Sequence, residues 1–142
     1  MALGSGRGRA RRALRGLDDG ELGLTAAMFD PPAGTFLVAC ADGAADPVGG
    51  VGLRVVAHGT GEVRRLWVDP RWRRRGVARA LMDWLEQAAR DLGLLEMRLA
   101  TGDRQPEAVA LYESLGWRRV KVVTDDGPIP VEVVSRFVKS LG

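Results

Sequence analysis

Val68-Asp69-Pro70-Arg71-Trp72-Arg73-Arg74-Arg75-Gly76-Val77-Ala78-Arg79-Ala80-Leu81 is the stretch on which the fold turns. The segment from Glu62 to Val68 reads as a strand and stops at Asp69-Pro70. A loop rich in arginine follows, and small residues at 76, 78 and 80 open the strongest helical pattern in the chain. Val77, Leu81, Trp84, Leu85, Ala88 and Leu92 recur at three- and four-residue intervals, a stripe that should pack on a sheet. Gly93 suits the C′ stop. Leu95, Met97 and Leu99 then alternate with Glu96 and Arg98, the pattern of a half-buried strand. Strand, helix and strand make a crossover, expected to be right-handed and to leave its two strands parallel.

Upstream, Thr35 to Ala41 and Val48 to Val56 read as strands around the turn-rich Asp42 to Pro47, and His58-Gly59-Thr60-Gly61 turns into the strand that ends at Val68. Glycines at 49, 50 and 52 fit a bulge or a close backbone approach. Downstream, Asp103 to Gln105 is a capping region and Pro106 a first helical residue. Ala108, Leu111 and Leu115 give a short helix closed by Gly116. Two strands, about Trp117 to Val123 and Val131 to Val138, flank the turn Asp125-Asp126-Gly127-Pro128. Residues 8–23 are expected to form a helix, weakened by Gly16, Gly20 and Gly23 and ended by Pro31-Pro32. The fold class is α/β, a single domain whose mixed, mostly antiparallel sheet is flanked by helices. Residues 1–16 read as a basic tail or the start of a first helix, and 17–142 as the domain.

A chain of 142 residues supports one core, and 46% apolar with 27% charged residues argues against a disordered, collagen-like or coiled-coil chain. The longest apolar stretch, Phe36 to Ala41, is too short to cross a bilayer, and no charged-then-apolar leader opens the sequence. The expectation is a soluble, cytoplasmic protein without membrane contact. The single cysteine, Cys40, and single histidine, His58, leave no disulfide, zinc cluster or Cys-His dyad. Cys40 reads as a small core residue and His58 as a surface turn residue. Arg7, Arg9, Arg11, Arg12 and Arg15 account for the formal charge of +3. Beyond them, 16 basic residues face 18 acidic ones, so the body carries −2 and is not a basic nucleic-acid surface.

The loop from Arg71 to Arg79 has the makings of an anion cradle. The first N–H groups of a helix lack internal partners, its dipole favours negative charge there, and small residues let a phosphate reach the backbone. A pyrophosphate is the natural guest. The loop is not a P-loop, having no Gly-Lys-Ser/Thr ending, and lacks the three glycines of the dinucleotide fingerprint. Taken alone, it reads rather as a solvated basic loop in which glycine eases the turn.

With its surroundings, the segment resembles the GNAT superfamily of acyl-CoA-dependent N-acyltransferases. The family's pyrophosphate loop, Q/R-x-x-G-x-G/A, is matched by Arg73, Gly76 and Ala78. A second signature, Asn-x-x-Ala, then Leu-Tyr, then Gly-aromatic, is approximated by Gln105 to Ala108, Leu111-Tyr112 and Gly116-Trp117. The resemblance spans roughly residues 35–139. It implies acetyl-CoA as acyl donor and no metal. Arg73, Arg74, Arg75, Gly76, Val77, Ala78 and Arg79 would bind the coenzyme A pyrophosphate, and Gln105 would contact the cofactor. The strand backbone at Leu66, Trp67 and Val68 would pair with the pantetheine arm, and a backbone N–H there would meet the oxyanion. Tyr112 would protonate the departing thiolate, a task its phenol suits because it is protonated near neutral pH. Glu62, eleven residues before Arg73, stands where some members place the carboxylate that deprotonates the amine, and reads equally as an exposed strand residue. Trp72 could cover the cofactor.

Two departures stand out: Gln105 occupies the usual asparagine position, and Met1 to Leu17 contains no apolar first strand. That strand is absent, short, or outside this sequence. The expected activity is acetyl transfer from acetyl-CoA to a primary amine of a small molecule or protein, by direct attack without a covalent enzyme intermediate. A non-catalytic acyl-CoA-binding module and a nucleic-acid-associated protein using the Arg-rich start are the alternatives, and a homodimer is left open.

Overall fold

Alternation in the central strands decides which sheet face is filled. Leu37 and Ala39 in β3 (Gly34–Ala41) and Val51 and Leu53 in β4 (Pro47–Ala57) are buried, and cross-strand register sets Leu37 beside Val51. The computed structural model describes residues 12–13, 23–30, 34–41, 46–102, 106–124 and 132–141. Before those strands lie β1 (Arg12–Ala13) and β2 (Leu24–Phe29), and after them β5 (Thr60–Val68), α1 (Val77–Asp91) and β6 (Glu96–Gly102). The chain closes with α2 (Pro106–Ser114), β7 (Arg118–Thr124) and β8 (Glu132–Ser140). The strands form one sheet in the order β1-β2-β3-β4-β5-β6-β8-β7, antiparallel throughout except for β5 with β6.

α1 is the crossover between those parallel strands, as its spacing predicts. It buries Val77, Leu81, Trp84, Leu85 and Ala88, each worth about 1–3 kcal/mol of transfer free energy. Gly93, at φ 80°, ends it: its N–H reaches Arg90 O at 2.9 Å and the Leu94 N–H reaches Ala89 O at 3.0 Å, the paired bonds of a Schellman stop.

On the far side of α1, Glu86 accepts from Lys139 of β8 at 2.5 Å and from Arg90 at 2.6 Å. Burial would raise its pKa, but the two cations outweigh that and hold it below the ordinary carboxylate range. A lowered folded pKa means stability that is complete above the unfolded value of about 4.3 and lost as pH falls through the folded one. Glu86→Gln should therefore destabilise the protein by about 1–2 kcal/mol at pH 7. Urea midpoints for both proteins at pH 7 and pH 3 should show that gap closing in acid.

The structure corrects the reading of the N-terminal part. Within the expected helix of residues 8–23, Arg12 and Ala13 instead form a two-residue strand against Met28 and Ala27. Leu24–Phe29, for which no strand is expected, pairs with β3 and buries Leu24, Ala26 and Met28. Cys40 is half-buried rather than core, and burial followed by the charge of Asp46 pushes its thiol pKa up, away from nucleophilic use. The expected cap at Asp103 to Gln105 and the turn at Asp125 to Pro128 lie outside the described residues. No described helix is long and apolar enough to cross a membrane.

Candidate functional site

β5 and β6 run together for three positions, Thr60 with Glu96, Gly61 with Met97 and Glu62 with Arg98, and then part. From there β6 follows β8, and the remaining edge of β5 is left without a strand partner. A bulge accompanies the parting: Gly52 pairs with Arg64 and Gly50 with Trp67, so two residues of β5 face Val51 alone. One of them, Arg65, adopts a φ of 59°. Bulges re-aim backbone groups, and this one lies on the free edge beside Leu66.

The loop after β5 is held from below. The Asp69 carboxylate accepts from the Arg71 backbone N–H at 2.9 Å and from its guanidinium at 3.1 and 3.3 Å. Those hydrogen bonds, more than charge alone, lower its pKa. Gly76 then takes φ 84°, a left-handed conformation open to glycine at little cost, and serves as the N-cap of α1. It offers no side-chain cap, and the first turn of α1 contains no acidic residue. The first intrahelical bond runs from Ala80 N–H to Gly76 O, leaving the N–H groups of Val77, Ala78 and Arg79 without helical partners. An uncapped, positively biased terminus free of acids fits an anionic guest such as a pyrophosphate.

A cleft of about 680 Å³ connects this terminus with the splayed edge and with α2. Its walls include Leu66, Trp67 and Val68 of β5, Arg73, Arg74, Gly76, Val77, Ala78 and Arg79 of the loop and helix, and Tyr112 of α2. Nearly all the residues expected to bind cofactor therefore meet in one space. Arg75 does not line it: its guanidinium carbon sits 4.3 Å from the centre of the Trp72 ring, and Trp72 itself lines the cleft. Gln105 lies outside the described residues. Glu107, Ala108 and Leu111 also line the cleft and were not expected there. Their i, i+1, i+4 spacing with Tyr112 gives the one sequence signal that could have marked this face of α2.

Tyr112 is placed by the way α2 ends. Gly116, at φ 89°, donates to Glu113 O at 3.1 Å, and the Trp117 N–H donates to Tyr112 O at 3.0 Å, a second Schellman stop. That motif brings the residue after the glycine back onto the last turn, and the Trp117 and Tyr112 rings lie 6.1 Å apart. Phe137 of β8 packs on the other side at 5.4 Å. The Leu-Tyr and Gly-aromatic spacing is thus one device for clamping a phenol. Tyr112 is 6% exposed, and burial pushes its pKa above the usual 10. Its hydroxyl holds its proton across the neutral range.

Glu62 is not among the residues lining the cleft. It sits at the last paired position before the splay, half-buried, with its carboxylate 3.6 Å from Arg64. No described group of acidic, cysteine and histidine side chains is arranged to hold a metal ion.

The profile described as Acetyltransferase (GNAT) family matches residues 8–117. An IAA acetyltransferase of Azospirillum brasilense is 33% identical over 98 residues, 69% of this chain and 63% of that one. N-acetyltransferase 8 of Homo sapiens is 46% identical over 54 residues, 38% of this chain, so the match spans only 24% of the human protein. Among solved structures, a Klebsiella pneumoniae protein described as an acyl-CoA N-acyltransferase superposes with a TM-score of 0.68 at 27% identity, covering 79% of this chain and 76% of that one.

Proposed function

The chain belongs to the GNAT acetyltransferase family, and from that premise we propose that it transfers an acetyl group from acetyl-CoA to a primary amine by direct attack, without a covalent enzyme intermediate. The observation that carries this reading is the single cleft joining the uncapped start of α1, the unpartnered edge of β5 and the buried phenol of Tyr112.

In this reading the N–H groups of Val77, Ala78 and Arg79, with the guanidinium groups of Arg73 and Arg74, hold the pyrophosphate. The free edge of β5 at Leu66 to Val68 orients the pantetheine arm by backbone hydrogen bonds. Acetyl-CoA supplies an acyl group activated as a thioester. A backbone N–H at Leu66 or its neighbour is available to a developing oxyanion, and such preorganised donors commonly contribute about 3–4 kcal/mol. Tyr112 holds a proton at its hydroxyl for the thiolate that departs. Glu62 is the candidate acceptor of the amine proton, acting through water because it stands outside the cleft wall.

Release of coenzyme A, followed with a thiol reagent across a panel of primary amines, tests the proposal. Acceptor-dependent release supports it, whereas acetyl-CoA binding without such release identifies a non-catalytic acyl-CoA-binding module. In the same assay Glu62→Gln should lower kcat/KM by about 100-fold. A loss under about threefold would remove Glu62 from the chemistry.

A further inference from the structure

We propose that Lys139 is a positioning residue for the proton donor: it ties the C-terminal end of α2 to α1 and so holds the Tyr112 hydroxyl at its place in the cleft. The inference rests on the acetyl-transfer reading and adds to that site a residue that stands outside the cleft wall.

α2 has little else to orient it. Its nine residues bury Tyr112 and no other side chain, whereas α1 buries eight. A helix with one ring in the core gains little orientation from apolar packing, which is non-directional. The contacts with Trp117 and Phe137 locate the ring of Tyr112, and directional hydrogen bonds must fix the tilt of the helix that carries it.

The strongest of those bonds comes from β8. A helix leaves its last carbonyl groups unpartnered, and the stop at Gly116 uses Tyr112 O and Glu113 O. Leu115 O, just past the helix, accepts instead from Lys139 Nζ at 2.8 Å. The lysine lies over the turn: a Cβ at Gly116 would be 4.0 Å from both its Cε and its Nζ. The helix dipole favours a cation at this end as well. The same ammonium meets Glu86 of α1 at 2.5 Å, with the two side chains only 20% and 15% exposed, so water screens the pair in part. Lys139 follows Phe137 by two residues and shares its face of β8, so one strand supports both the ring of Tyr112 and the end of its helix.

The connection runs on to the anion-binding end of the cleft. Arg79, in the first turn of α1, lines the cleft, and its Nη2 donates to Ser114 Oγ at 3.2 Å. Ser114 Oγ in turn donates to Leu111 O at 2.7 Å. Among the described residues, two polar struts thus join α1 to the end of α2: Arg79 to Ser114, and Glu86 through Lys139 to Leu115 O. The first is exposed and the second part-buried, where a lower local dielectric strengthens it. Lys139 is therefore the strut that sets the distance between the start of α1 and the phenol. A proton donor works only within hydrogen-bond reach of the departing sulfur, and a misplacement of about 1 Å costs on the order of 100-fold.

Lys139→Met removes the strut and leaves Glu86 paired with Arg90 at 2.6 Å, so the carboxylate is not stranded. With the best primary amine of the panel, kcat should fall about 10- to 30-fold while the Kd for acetyl-CoA changes less than about threefold. The decisive measurement repeats the substitution in Tyr112→Phe. A positioning role acts through the phenol, so the further loss there should shrink below about twofold, whereas a loss of folded protein would lower both backgrounds alike. Glu86→Gln keeps the test available if Lys139→Met does not fold: its kcat loss of about three- to tenfold should also vanish in Tyr112→Phe. Losses that multiply in the double variants, or an unchanged kcat in Lys139→Met, would overturn this inference and leave acetyl transfer standing. Acetyl-CoA binding with no turnover of any amine by the unsubstituted protein would instead overturn acetyl transfer, and this inference with it.

Discussion

Gly76→Val is expected to cost about 100-fold or more in acetyl-CoA affinity while leaving the fold in place. At φ 84° the backbone of Gly76 lies where a β-branched side chain is strained, and relaxing that strain would turn the first N–H groups of α1 away from the cleft. A pyrophosphate bound by those groups would lose several charge-assisted hydrogen bonds together, and about 2.7 kcal/mol already corresponds to a 100-fold change. Gly93→Val is the matched control. Gly93 ends the same helix at φ 80°, and a Cβ there meets nothing within 4 Å, so the strain is similar and the cleft is untouched. Calorimetric titration with acetyl-CoA should separate the two variants; equal affinities would show that the loop does not hold the coenzyme.

Tyr112→Phe is expected to lower kcat by about 100- to 1,000-fold, while the Kd for acetyl-CoA changes less than threefold. The ring is packed between Trp117 and Phe137, and phenylalanine keeps both contacts, so the fold should survive and only the hydroxyl is lost. Because burial raises the phenol pKa, its acid form is present throughout the range below its ordinary value of 10. The wild-type profile should therefore show no loss of the acid between pH 7 and pH 9. Parallel losses in turnover and affinity would mean that Tyr112 shapes the cleft without donating a proton.

Much of this site is legible in short-range spacing. The α1 stripe from Val77, the glycine that opens that helix and the Tyr112 to Trp117 interval each describe one turn or one helix end, and the geometry of such a unit is set within a few residues. β2 was harder to read, because Ala26 and Ala27 break the contrast of its alternation and its burial comes from pairing with β3.

Periodicity and glycine spacing thus determined α1, most strands and the uncapped start of the helix, since those depend on dihedral preference and neighbouring side chains. Tertiary pairing alone decided where β5 leaves β6, that Glu62 stands outside the cleft, and that Arg98 pairs with Glu62 where the two strands part. Register between strands dozens of residues apart is selected by the packing of a whole sheet against α1, and no local run of sequence contains that sum.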